Sequence, residues 1–121
     1  MRGNQHFTSL AKRAKDAKQA GNYDLSYNYM DSALVLAKKL GDPEATAFAM
    51  SELGVICMYQ GRYSDALKLM LSGVLIQEQL QDSVPMADSY NYIAAVHHAQ
   101  SDYITAIKYY NKSQAITEKL D

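Results

Sequence analysis

The chain has 121 residues, one domain's worth, and its 12 Lys and Arg against 13 Asp and Glu leave a formal net charge of -1. So even a balance argues against a nucleic-acid or polybasic membrane surface, and no stretch approaches the roughly 18 apolar residues of a membrane span. Hydrophobic residues at 48%, with two prolines and six glycines, exclude a disordered or loop-built chain, and a single cysteine excludes an internal disulfide framework.

In chain order, the first element is a helix through Leu10, Ala14 and Ala17, with Lys12, Arg13, Lys15 and Lys18 along it. Gly21-Asn22-Tyr23 ends it, because glycine tolerates the left-handed conformation that stops a helix. A second helix of about 18 residues starts near Tyr23. Gly41-Asp42-Pro43-Glu44 is a stop and a restart. Asp42 suits the N-cap, Pro43 the first turn, and Glu44 the positive helix end. The third helix carries Met50, Leu53, Gly54 and Cys57 at i, i+3, i+4 and i+7. Gln60-Gly61-Arg62 turns the chain into a fourth helix near Tyr63. Ser83 and Pro85 are expected to open the fifth as Asp42 and Pro43 open the third. Tyr90, Ile93, Ala94 and His97 repeat the helical spacing there, and Gln100-Ser101-Asp102 leads into a sixth helix near Tyr103. Nothing alternates with the period of a strand.

The elements repeat. Tyr23, Tyr63 and Tyr103 fall at forty-residue spacing, as do Leu40, Leu80 and Leu120. Ala66 and Ala106, Lys68 and Lys108, Ile76 and Ile116, and Glu78 and Glu118 hold the same register without a gap. A fixed period of this length is the mark of stacked supersecondary units, each burying its apolar face against its neighbours. Small residues at Ala14, Gly54 and Ala94 should let each first helix approach its partner at Ser26, Ala66 and Ala106, and the large Met30, Met70 and Tyr110 should fill the space beyond.

The second copy, Met50, Leu53, Gly54, Cys57, Gly61, Tyr63, Ala66, Met70 and Gly73, resembles the motif of the tetratricopeptide repeat (TPR) family. So do Tyr90, Ile93, Ala94, His97, Ser101, Tyr103, Ala106, Tyr110 and Ser113 in the third copy. The first departs from the motif at Arg13, where leucine is expected, and Lys38, Glu78 and Glu118 replace the usual closing proline. The resemblance is to the long variant of bacterial regulators and adaptor proteins. It implies an all-α, right-handed superhelical stack of three antiparallel helix pairs. One domain is expected over 1–121, with repeats near 5–42, 45–82 and 85–121, as an excerpt of a longer chain.

No GxSxG, HExxH, phosphate loop or CxxC occurs, so no catalytic residue, metal ligand or cofactor is assigned and a non-enzymatic protein is expected. The adjacent His97 and His98 point about 100° apart on a helix. Cys57 and His97, at equivalent positions, are taken as core fillers, and the basic run of the first helix as a solvated face. Neither a nucleic-acid partner nor membrane insertion is expected. The ten tyrosines serve either recognition surfaces or repeat junctions.

What the resemblance implies about function is a protein or peptide partner on the concave face, or a sensory segment of a larger bacterial signalling protein, a transcriptional regulator or histidine kinase. Phe48, Ser51, Val55, Met58 and Tyr59, with Asn91 and His98 in the next copy, are the expected binding stripe. Some relatives grip a terminal carboxylate with a clamp; Lys12 and Lys15 match one corner of it, but Glu52, Val55, Tyr92 and Ala95 occupy its other positions, which argues against that clamp. A second stripe on the last helix, Tyr109, Ile116 and Leu120, is expected to lie bare and to support a homodimer through the C-terminal repeat.

Overall fold

The computed structural model describes residues 2–120, with side chains from Gln5 to Leu120. The expected Asp121 end of the domain lies outside the described residues. Six α-helices and no strand occupy the described residues: α1 (Arg2–Gln19), α2 (Tyr23–Lys39), α3 (Pro43–Tyr59), α4 (Tyr63–Leu80), α5 (Ser83–Ala99) and α6 (Tyr103–Leu120). They form three antiparallel pairs, and each pair packs on the next through its second helix.

The punctuation is regular. Gly21, Gly41 and Gly61 take left-handed backbone, at φ of 79°, 63° and 76°. Gln81 and Ser101 occupy the same turn positions and are left-handed too, at φ of 54° and 63°. Each turn thus has one left-handed residue, and in two of them a side chain bears a conformation that suits glycine. Asp42 caps α3 by accepting from the Ala45 backbone N–H at 3.1 Å, with Pro43 at the first helical position. At the start of α5 the expectation is corrected: the cap position is Asp82, with Ser83 and Pro85 already inside the first turn. Proline is tolerated there because first-turn N–H groups have no helical acceptor.

Within each pair the helices approach over small residues. A Cβ placed on Gly54 would lie 2.6 Å from Met70 Cγ and 3.0 Å from the Ala66 carbonyl oxygen. One on Gly73 would lie 2.9 Å from Ser51 Oγ and 3.0 Å from the Ala47 carbonyl. The serines at related positions satisfy themselves across the same contact: Ser26 donates to the Ala14 carbonyl at 2.6 Å and Ser113 to the Ala87 carbonyl at 2.8 Å. Met30, Leu53 and Ile56 fill the first junction, and Met70, Val74, Tyr90 and Ile93 the second. Full burial of such a side chain stabilises by about 1.5–3 kcal/mol each.

Polar groups tie the junctions. Ser89 donates to Gln77 Oε1 at 2.6 Å, and Ser51 Oγ lies 3.1 Å from Ser89 Oγ, which links α3, α4 and α5 in a buried chain. Tyr90 donates to the Glu78 carboxylate. Burial, and then that carboxylate, push the Tyr90 phenol up to about 12.

The stripe expected to be bare on α6 is not the bare one. Tyr109 and Ile116 are half-buried against the core of the second junction, and their equivalents Tyr29, Leu69, Leu36 and Ile76 are half-buried as well. Their cover therefore comes from within the pair and the preceding helices, not from a following helix. Leu120 is 54% exposed, but so are Leu40 at 47% and Leu80 at 39%, so its exposure belongs to the helix end. The residue that loses its expected place in the core is Tyr110. It is 41% exposed, whereas Met30 and Met70 are buried beneath the next helix.

Candidate functional site

Helices α1, α3 and α5 line one side of the stack, and their equivalent positions form rows across it. Thr8, Phe48 and Asp88 make one row, and Lys12, Glu52 and Tyr92 the next. A groove of about 760 Å³ between α1 and α3 is walled by Lys12, Lys15 and Lys18 on one side and by Phe48 and Glu52 on the other. It continues past Phe48 and Glu52 into a smaller one bounded by Pro85, Asp88 and Tyr92.

Phe48 sits where the two meet. It is 44% exposed, with its ring edge-on to Phe7 at 6.2 Å. Lys18 Nζ reaches Glu52 at 3.6 Å across the groove. Lys12 and Lys15 are exposed. The Tyr92 phenol is raised first by burial and then by the carboxylates of Glu52 and Asp88. The groove is therefore rich in lysine along α1, where Asp16 also lines it, and carries the carboxylates of Glu52 on α3 and Asp88 on α5.

The expected binding stripe divides in two. Phe48 and Tyr59 are exposed, with Tyr59 stacked on Tyr23 at 5.5 Å. Ser51 and Val55 are buried, which corrects the expectation that they line an open face. Ser51 points at Ser89 of α5, and Val55 belongs to the second junction. Met58 is half-buried against the same core. That flank of α3 is the contact with α5. Among the described residues no further helix lies beside the equivalent flank of α5, where Asn91 and His98 are exposed, and His98 meets Tyr103 edge-on at 5.2 Å. They stand at the end of the stack, away from the Phe48 groove.

The residues missing from that stripe are Lys12, Glu52 and Tyr92. The signal for them is their own row at forty-residue spacing, together with the opposite charges of Lys18 and Glu52. The groove carries no nucleophile with an adjacent base. Cys57 is buried and its thiol is raised by burial, and His97 stacks on Tyr109 at 5.8 Å with Nδ1 3.4 Å from Asp102. No group of three or more His, Cys, Asp and Glu side chains converges on a metal position among the described residues. No helix there is long and apolar enough to cross a membrane.

Stacked helix pairs with a buried apolar cluster at each junction, and a groove along the first helices, define a helical-repeat scaffold. The chain is a TPR-like repeat protein, the class into which its fold and its solved neighbours place it. The TPR domain of Arabidopsis FLU is similar over 97% of this chain and 98% of that one, at 25% identity and a TM-score of 0.87. The nearly identical TPR-like repeats of a putative kinesin light chain from Podosopora anserina share 19% identity at a TM-score of 0.82. The match covers 94% of this chain and 56% of that one. No protein-family model and no curated protein matches the chain. Folds of this kind generally work as protein-interaction modules.

Proposed function

We propose that the α1/α3/α5 groove binds an extended segment of a protein partner, with an apolar side chain against Phe48 and acidic residues over Lys12 and Lys15. The observation that carries this reading is Phe48. It is a large aromatic ring 44% exposed in the centre of a concave wall whose neighbours are charged. An exposed apolar residue rimmed by polar groups is the usual form of an interaction anchor. Lysines along one wall favour an acidic segment and set its direction, since Asp88 repels it from the other wall. The chain acts in this reading as a non-enzymatic scaffold.

Peptides selected from a display library on the whole chain test it. The selected sequences should pair acidic residues with an aromatic or large aliphatic one. Phe48→Ala should weaken them by about tenfold or more, as truncating an anchor does. The double change Lys12→Glu, Lys15→Glu should weaken them further, and added salt should weaken the wild type, because exposed charges are screened. Selected peptides that are basic, or indifferent to both variants, would move the site off this groove.

A further inference from the structure

Lys12, Lys15 and Lys18 follow one another at three-residue intervals along α1, and all three line the groove between α1 and α3. They are not equally free. Lys12 and Lys15 are exposed, and among the described residues neither makes an ion pair. Lys18 is tied to Glu52 at 3.6 Å, and the two side chains are 25% and 20% exposed. Glu52 stands one turn beyond Phe48 on the same face of α3. It lines the α1 groove and its α5 continuation alike, as Phe48 does. Its carboxylate therefore lies beside the path of any segment whose side chain rests on Phe48. With Asp16 it sets two carboxylates against the three lysines, a net charge of +1 in the α1 groove.

We propose that Glu52 determines the specificity of the groove as its built-in acidic occupant: it takes up Lys18, leaves Lys12 and Lys15 to receive acidic residues, and rejects an acidic residue placed on the α3 side of the apolar anchor. This role rests on the segment-binding reading of the groove, because it is the charge of a segment that Glu52 selects. A pair as shielded as Lys18 and Glu52 is screened by salt less than the exposed lysines are. An incoming carboxylate has to displace Glu52 before it can use the Lys18 ammonium. Neutralising Glu52 acts twice in one direction, since it frees Lys18 and ends the repulsion beside Phe48. Neutralising Lys18 acts in the opposite direction, since it leaves the Glu52 charge unmatched. Neutralising both restores the net charge of the wild type, with neither group in play.

Fluorescence anisotropy of a library-selected acidic–aromatic peptide with the whole chain tests this, beside the same peptide with its acidic residues changed to amides. Glu52→Gln should bind the acidic peptide about two- to fivefold more tightly, the range of a part-exposed ion pair. That gain should shrink as salt is added. Lys18→Gln should weaken the same peptide by a similar factor, and the double variant should return close to the wild type. The amide peptide should bind all of these forms alike, a pattern that a merely structural clip between α1 and α3 would not give. Phe48→Ala, measured on the acidic peptide, separates the two readings. Indifference to Phe48→Ala would remove the binding site and the role of Glu52 together. Weakening by Phe48→Ala, with Glu52→Gln no tighter than the wild type or equally tighter for the amide peptide, would overturn the role of Glu52 alone.

Discussion

Gly54 shows how much one residue decides. The close approach of α3 and α4 depends on an absent Cβ, because that atom would lie 3.0 Å from a backbone oxygen that cannot swing aside as Met70 can. Gly54→Leu should therefore overpack the pair and cost about 1–3 kcal/mol, read as a lower denaturant midpoint. A midpoint equal to that of the wild type would show that the helices are not held at this distance. Small residues at Gly54, Ala66 and Gly73 are visible in the sequence as a spacing, and their role follows from the pairing that the spacing implies. Ser51 shows the opposite case. It is a polar residue beside Phe48 on an apolar helix, and its place in the Gln77–Ser89–Ser51 chain depends on where α5 stands.

The helices and their limits were legible for chemical reasons. A left-handed residue every twenty positions and a tyrosine opening each second helix mark the boundaries without reference to packing. Gln81 and Ser101 break the glycine pattern and keep the conformation, because the flanking helices hold the turn. Gln81→Gly and Ser101→Gly should each raise stability by about 0.5–1 kcal/mol, as relief of strain outweighs the added freedom of the unfolded chain. A loss of stability in both would mean that the side chains stabilise these turns. Which flank of a helix faces which neighbour was harder to read. Positions 107 and 109 lie on opposite sides of α6, and both stripes carry large apolar residues. Only comparison of burial across the three copies separates them: Tyr109 keeps the environment of Tyr29 and Leu69, whereas Ile107 loses that of Tyr27 and Leu67.

At the scale of the whole molecule, three pairs make a surface that no single pair contains. The groove takes its basic wall from the first copy, its aromatic anchor from the second and its acidic wall from the third. Sequence periodicity pointed to Phe48 because its row is easy to follow, but it placed Val55 and Ser51 beside it on an open face. Contact with α5 covers that flank, through Ser51 against Ser89 and Val55 in the second junction, and leaves Glu52 and Tyr92 as the neighbours instead. The measurement that tests the account most directly is a map of backbone amide shifts in the isotope-labelled chain as a selected acidic–aromatic peptide is added. The account predicts perturbations concentrated at Lys12, Lys15, Phe48, Glu52, Asp88 and Tyr92, with little change at Val35 and Leu75 on the second helices. Perturbations centred on Val35 and Leu75, with the groove unchanged, would contradict it.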